Sequence, residues 1–93
     1  DIAITEEDWK TLLHLIDATY PHFTSRLYAL YPQISGQELS ICYLIKILIP
    51  VKGMAQILNR STSAITNSRI RLYKKIHGVE GKADALDKFI IDL

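Results

Sequence analysis

The spacing of apolar residues along the chain predicts six helices and no strand. Apolar positions recur every three or four residues, which places them on one face of a helix. The first helix is expected to start at Thr5, which can form a capping box with Asp8, and its apolar positions are Trp9, Leu12, Leu13, Ile16 and Tyr20. Pro21 suits the first turn of a second helix, whose stripe is Phe23, Leu27, Leu30 and Tyr31.

The second half of the chain predicts four further helices. A capping box of Ser35 and Glu38 opens a helix that we expect to continue to Pro50 and, because it is very apolar, to lie centrally. Lys52 to Leu58 form a short helix, Asn59 to Ser61 a break, and Thr62 to Ile76 a fifth helix ending near Gly78. The last helix carries Leu86, Phe89, Ile90 and Leu93.

The fourth and fifth predicted helices have the layout of a helix-turn-helix, in which the second helix enters the major groove of DNA. A helical wheel with Ile65 towards the core turns Ser63, Asn67, Ile70, Arg71 and Lys74 outward and leaves Thr66 at the border. Asn67 could bond adenine, and Ile70 could touch a thymine methyl or be an ordinary exposed isoleucine. Arg69 falls nearer the core edge, which favours a structural pairing, for example with an acid of the first helices, over the alternative of a role in DNA binding.

Charge supports this interpretation because the chain is nearly neutral overall yet strongly asymmetric. Lys and Arg number 11 against 10 Asp and Glu, but no acid occurs between Glu38 and Glu80. That interval contains seven bases: Lys46, Lys52, Arg60, Arg69, Arg71, Lys74 and Lys75. Such a block is typical of a nucleic-acid surface, although a solvated basic face is the plain alternative.

Length and composition limit the remaining possibilities. A chain of 93 residues with 48% hydrophobic residues fits one folded domain, and its longest apolar run is too short to cross a bilayer. The lone Cys42 lies among apolar neighbours, which predicts a buried thiol and a cytoplasmic, reducing setting. Because the chain opens with Asp1, we expect it to be processed, trimmed or, as we favour, a domain of a longer protein, and this prediction leaves open a membrane anchor upstream.

The pattern resembles the LuxR/GerE-type helix-turn-helix family of transcription regulators. The residues that carry the resemblance are Ser35 and Glu38, Met54-Ala55 and Leu58, Ser61, Ala64-Ile65, and Lys75-Ile76. Trp9, Tyr20-Pro21, Tyr31-Pro32, Cys42 and Arg69-Ile70-Arg71-Leu72 are similar, more narrowly, to carboxy-terminal domains of Bacteroidetes regulators that carry tetratricopeptide repeats. The chain departs from the family pattern at Pro50-Val51, Gly53, Arg60 and Ser68.

The resemblance implies an all-α domain, with a helical extension over residues 1–34 and a tetrahelical LuxR-type unit over residues 35–93. Its implied function is sequence-specific binding of double-stranded DNA by a recognition helix over about residues 62–77, as the output of a transcriptional regulator. Thr66, Asn67 and Ile70 would face bases. Phosphates would meet Lys52, Thr62, Ser63, Arg71, Lys74 and Lys75. The family generally acts as dimers, for which the last helix and the Trp9 to Tyr31 region are candidate surfaces.

Other function classes have weaker support in the residues. No nucleophile with its base, phosphate loop or paired carboxylates is visible, so we expect neither an enzyme nor a cofactor. His14, Asp17 and His22 are a poor metal set, and Ser61-Thr62-Ser63 is better explained by helix capping. The main alternative is a helical protein-protein interaction module whose basic surface meets an acidic protein such as an RNA polymerase subunit.

Overall fold

Six helices and no strand occur in residues 4–93, the part of the chain that the computed structural model describes. They are α1 (Glu6–Thr19), α2 (Phe23–Leu30), α3 (Gly36–Lys46), α4 (Val51–Leu58), α5 (Thr62–His77) and α6 (Ala83–Asp92). The all-α prediction is therefore confirmed at this level.

Local capping signals fix the starts of three helices as predicted. Thr5 and Asp8 form a reciprocal capping box at α1, and Ser35 and Glu38 form another at α3. The Ser61 hydroxyl accepts a hydrogen bond from the Ala64 amide at 3.0 Å at the start of α5. Each of these side chains satisfies an amide that has no partner inside its helix.

Pro21 lies in a turn, and the prediction that it occupies the first turn of α2 is wrong. The Phe23 amide donates to the Tyr20 carbonyl at 3.1 Å, which closes a turn with Pro21 at its second position. His22 has φ 68, the positive value that a type II turn requires at its third position. Proline has the same φ in a turn as in a helix, so its presence does not distinguish the two. Leu30, placed on the apolar stripe by the sequence, is 42% exposed.

Helix α3 ends at Lys46, short of the predicted end at Pro50. The Ile49 amide donates to the Leu44 carbonyl and the Leu48 amide to the Ile45 carbonyl, both at 2.9 Å. These two bonds form a Schellman motif, in which the residue in the position of Leu48 is usually glycine. Leu48 accordingly has φ 66, and its side chain is 69% exposed.

Helix α4 follows at once, with Pro50 as its N-cap residue and Val51 as its first residue. Gly53, one of the departures from the family pattern, lies close to the preceding chain. A Cβ atom at this position would lie 2.9 Å from Cγ2 of Ile49. The close approach gives a packing reason for a residue that costs about 0.5–1 kcal/mol in a helix interior.

The core is built around α3, as its apolar sequence predicts. All six residues from Ile41 to Lys46 are buried, and α3 packs against α1, α5 and α6. Ile16, Phe23 and Leu27 of the first two helices belong to the same buried cluster as Leu86 and Ile90 of α6. The boundary at residues 34 and 35 stays a prediction, since helices on both sides of it share this core.

Cys42 is buried, as predicted, and behaves as a small apolar side chain. It is 0% exposed. Burial, followed by the charge of Glu38, raises the pKa of its thiol to about 12. The reactive thiolate form is therefore strongly disfavoured at neutral pH.

Candidate nucleic-acid interface

The candidate interface is built on α4, a three-residue connection and α5. Asn59 ends α4 in the left-handed region with φ 54, and the Arg60 amide donates to the Ala55 carbonyl at 2.9 Å. Ser61 then caps α5, and the two helices pack against each other. Short-range hydrogen bonds thus fix the end of α4 and the start of α5.

Helix α5 has one buried face and one exposed face. Ile65 and Leu72 are 0% and 1% exposed and anchor the helix in the core. On the opposite side Ser63, Asn67, Arg71 and Lys74 are exposed. Thr66 and Ile70 are half-buried, so Ile70 is less outward than the helical wheel predicts. The predicted base-facing residues Thr66, Asn67 and Ile70 all retain some surface on this helix.

The side chains predicted to meet phosphates all lie at the surface. Lys52, Thr62, Ser63, Arg71, Lys74 and Lys75 are exposed. The first turns of α4 and α5 contain no acid, and Pro50 offers α4 no side-chain cap. The initial amides of α4 therefore keep their capacity to bind an anion, whereas in α5 the Ala64 amide is already bonded to Ser61 and only the amides before it keep that capacity.

Two of these lysines are already paired with carboxylates of the chain. Lys74 Nζ lies 3.0 Å from Oε1 of Glu80, and both side chains are well exposed, at 59% and 75%. Lys75 Nζ lies 2.8 Å from Oε2 of Glu38, whose side chain is only 12% exposed. The first pair is a surface pair worth about 0–1 kcal/mol, whereas the second links the end of α5 to the start of α3.

The pKa values of Lys75 and Glu38 reflect their contact. The hydrogen bond to Glu38 raises the pKa of Lys75 above its usual 10.5. For Glu38, burial acts to raise the pKa, but the hydrogen bonds from Lys75 and Ser35 outweigh it and hold the pKa below its usual 4.5. Both groups are therefore charged over the whole neutral range.

Two of the seven bases in the acid-free segment, Lys46 and Arg69, lie inside the molecule, so the block of charge is less basic at the surface than its composition suggests. Lys46 is 7% exposed and donates to the Ile91 carbonyl at 2.7 Å, with its Nζ 4.5 Å from the centre of the Tyr20 ring. Burial lowers the pKa of Lys46, and it acts as a cap for the end of α6. The basic surface consequently has five members at most.

Arg69 is the second internal base. It is 5% exposed and pairs with Asp87 and Asp84 of α6. A structural role was predicted and is confirmed, but the predicted partner, an acid of the first helices, is wrong. The sequence contains no local signal for this pair, because its members lie 18 residues apart.

The residues considered for other chemistry are engaged elsewhere or dispersed. Asp17 accepts hydrogen bonds from the amide and hydroxyl of Thr24, whose hydroxyl lies 2.9 Å from that of Tyr43. Among residues 4–93, no three His, Cys, Asp or Glu side chains come together in a way that could hold a metal ion. No helix in the same range has the length and apolar composition needed to cross a membrane.

The predicted dimer surfaces are partly used within the chain. Leu86 and Ile90 of α6 are 0% exposed, and α6 packs against α3 as expected. Around α1, Leu15 is 60% exposed and lies with Leu48 along one cleft. The apolar side chains of α6 are therefore mainly core.

Comparison with protein-family models, with curated proteins and with solved structures gives no significant match.

Proposed function

We propose that the chain binds double-stranded DNA in a sequence-specific manner, as the output domain of a transcriptional regulator of the LuxR type. The observation that carries the proposal is the two-sided character of α5. One face is anchored in the core by Ile65 and Leu72, and the other exposes amide, hydroxyl and cationic groups on a rigid helix. A helix of 16 residues spans about 24 Å, enough to lie along the major groove.

Asn67 is the strongest candidate for reading bases. Its side chain is exposed near the middle of the outer face, where a carboxamide can form two hydrogen bonds with adenine. Thr66 and Ile70 flank it and are half-buried. We assign them the smaller role of apolar or hydroxyl contacts with neighbouring base edges.

Phosphate contacts are assigned first to the cations that have no competing carboxylate. Among residues 4–93, Lys52 and Arg71 have no carboxylate within salt-bridge distance. Lys74 can exchange its exposed Glu80 partner for a phosphate at small cost. Lys75 holds a half-buried partner, so its contribution to DNA binding should be the smallest of the predicted set.

Lys74 and Lys75 each form an ion pair with a carboxylate of the chain, and these two pairs favour the second candidate function, a helical protein-protein interaction module. Two internal ion pairs weaken the field around the end of α5, and a weaker field suits a partner less densely charged than DNA. The partner would be an acidic protein, with RNA polymerase as the example consistent with a regulator. Homodimerisation is compatible with either function.

Selection of bound duplexes from a random pool tests the proposal and separates the two functions. A DNA-binding domain should enrich a motif, and paired half-sites in that motif would indicate a dimer. A protein-interaction module should enrich nothing beyond weak, salt-sensitive binding. The matched control is the same selection with Asn67→Ala, which should lose or alter the enriched motif while remaining folded.

A further inference from the structure

A polar cleft lies beside α5 and shares Arg71 and Lys75 with the surface assigned to DNA, but its other lining residues have no role in the function proposed above. Its volume is about 360 Å³. The polar and charged side chains that matter come from the turn before α5 (Arg60), from α5 itself (Ser68, Arg71 and Lys75) and from the region around the start of α3 (Gln33 and Glu38). We propose that this cleft binds a phosphate monoester, the dianionic end group of a small phosphorylated molecule.

The charge of the cleft fits such a ligand. Three cations, Arg60, Arg71 and Lys75, face the cavity together with one carboxylate, Glu38, which leaves a net charge of two positive units. A phosphate monoester carries about −1.5 to −2 at neutral pH. A phosphodiester of the nucleic-acid backbone carries a single negative charge and would neutralise only half of the excess.

The cleft also offers hydrogen-bond donors that the protein leaves unused. Ser68 is 8% exposed, and its hydroxyl accepts from Nη2 of Arg71 at 3.3 Å. Within residues 4–93 that hydroxyl has no acceptor for its own proton, and Arg60 has no carboxylate partner. The planar guanidinium group of arginine and the hydroxyl group of serine both donate hydrogen bonds to phosphate oxygens, and the guanidinium does so with defined geometry.

Glu38 does not prevent an anion from entering, because its charge is already compensated. One carboxylate oxygen accepts from Lys75 Nζ at 2.8 Å and the other from the Ser35 amide at 2.9 Å. An ammonium group has three donors, so Lys75 retains two for a ligand. Glu38 thus holds Lys75 at the wall of the cleft.

Arg71 and Lys75 also belong to the surface assigned to DNA, so a bound monoester would compete with a duplex for them. The concave shape and the double positive charge favour a terminal phosphate over a phosphodiester, whose two ester arms would have to enter the same cleft. The cleft is therefore assigned to a small molecule, and its occupancy can be measured without any DNA present.

Nuclear magnetic resonance titration of the full chain tests this inference. Phenyl phosphate at pH 7.5 should produce saturable shifts of the Arg60 and Arg71 Nε–H signals and of the Ser68 amide. Arg60→Gln or Arg71→Gln should weaken binding roughly tenfold, the effect of losing one charge-assisted hydrogen bond. Lys10→Gln, on α1, is the matched control and should leave the Kd unchanged. Lowering the pH to 5 should weaken binding, since the second phosphate pKa is about 6.

Diethyl phosphate, a monoanionic diester, distinguishes the two sources of phosphate. We expect it to bind at least roughly tenfold more weakly than phenyl phosphate. Equal affinity for the two probes would assign the cleft to backbone phosphates and overturn the inference. Shifts that grow linearly without saturation, or that are unchanged in both arginine variants, would also overturn it. Either arginine variant suffices if the other does not fold. Duplex binding is measured separately, so failure of this inference and failure of the proposed function are distinguishable.

Discussion

Arg69 and Asp87 join α5 to α6 through a two-point hydrogen-bonded ion pair. Nε of Arg69 donates to Oδ1 of Asp87 at 3.0 Å, and Nη2 donates to Oδ2. The Arg69 side chain is 7% exposed and that of Asp87 is 28% exposed, so the pair is largely shielded from water. A residue in the most basic stretch of the chain therefore stabilises the fold and is not free for a nucleic-acid partner.

Removing Asp87 should destabilise the domain because it leaves the buried Arg69 guanidinium with only the exposed Asp84 carboxylate, 3.8 Å away and not hydrogen-bonded to it. Breaking a buried pair costs about 3–5 kcal/mol, and the partial exposure of Asp87 reduces our expectation to about 2–4 kcal/mol for Asp87→Ala. The free energy of unfolding, obtained from urea titration followed by Trp9 fluorescence, measures the change. Asp84→Ala is the control: this carboxylate is 99% exposed and 3.8 Å from Arg69, so its loss should cost less than about 0.5 kcal/mol. Equal effects of the two substitutions would contradict the assigned role.

The contact between Lys75 and Glu38 should make stability depend on pH at both ends of the scale. The pKa of Glu38 is lowered below 4.5 in the folded state, so its contribution is present above pH 4.5 and is lost as the pH falls through the folded value. The pKa of Lys75 is raised above 10.5, so its contribution is complete below pH 10.5 and is lost as the pH rises through the folded value.

Lys75→Met tests this dependence because it keeps the apolar stem and removes the charge. The wild type should be more stable by about 0.5–1.5 kcal/mol at pH 7, and this difference should shrink below pH 4.5. Urea titrations at pH 7, 5, 4 and 3 provide the measurement. Lys74→Met removes an exposed pair and should show a smaller difference at every pH. A difference for Lys75→Met that is constant down to pH 3 would mean that the pair contributes nothing.

Signals confined to a few neighbouring residues made the helices predictable. The capping boxes at Thr5 and Ser35, the cap at Ser61 and the left-handed Gly78 each depend on partners within four positions. The predictions at Pro21 and Pro50 were wrong for different reasons. The φ of proline suits a turn and a helix start equally, and the motif that ends α3 has Leu48 where glycine would have signalled it.

The hydrogen-bond partners of the basic side chains could not be predicted from the local sequence pattern. Lys46 bonds a carbonyl 45 residues away, and Lys75 bonds a carboxylate 37 residues away. The charge of a lysine is visible in the sequence, but a partner contributed by another helix is not. The segment between Glu38 and Glu80 is therefore more basic in sequence than the surface that it forms. The prediction of which α5 side chains are exposed was largely correct, because one buried residue, Ile65, is enough to orient the helical wheel.

Leu48→Gly should stabilise the domain, because Leu48 occupies the left-handed position of the Schellman motif that ends α3. A non-glycine residue at this position destabilises the folded state by about 1–2 kcal/mol, and glycine relieves that strain. Glycine also gives the unfolded chain more conformational freedom, which offsets the gain by about 0.5–1 kcal/mol. Since the side chain is 69% exposed, little packing is lost. We expect a net gain of about 0.5–1 kcal/mol in the free energy of unfolding.

Leu48→Ala is the control and should show no gain, since alanine keeps the strain. A loss of stability in the glycine variant would indicate that Leu48 packs on the cleft that it shares with Leu15.

Duplex binding should divide the exposed residues of α5 by the kind of contact they make. Asn67→Ala should change the preferred sequence, because a carboxamide that bonds adenine is worth about 1–3 kcal/mol of discrimination. Arg71→Ala should weaken binding to all duplexes alike and lower the slope of log K against log salt by about 0.9, the effect of one lost phosphate contact. Fluorescence anisotropy with the selected duplex and a scrambled one, at several salt concentrations, separates the two effects.

The lysines at the end of α5 provide the stricter test. Lys74→Ala should weaken binding less than Arg71→Ala, because part of the lysine's interaction with DNA replaces its contact with Glu80. Lys10→Ala, on α1, serves as the charge-matched control and should bind as the wild type does. If the triple variant Arg71→Ala, Lys74→Ala, Lys75→Ala is folded by circular dichroism yet binds duplex DNA with wild-type affinity, α5 does not contact DNA. The basic face would then be left to a protein partner, which should bind the wild type and lose affinity for the triple variant.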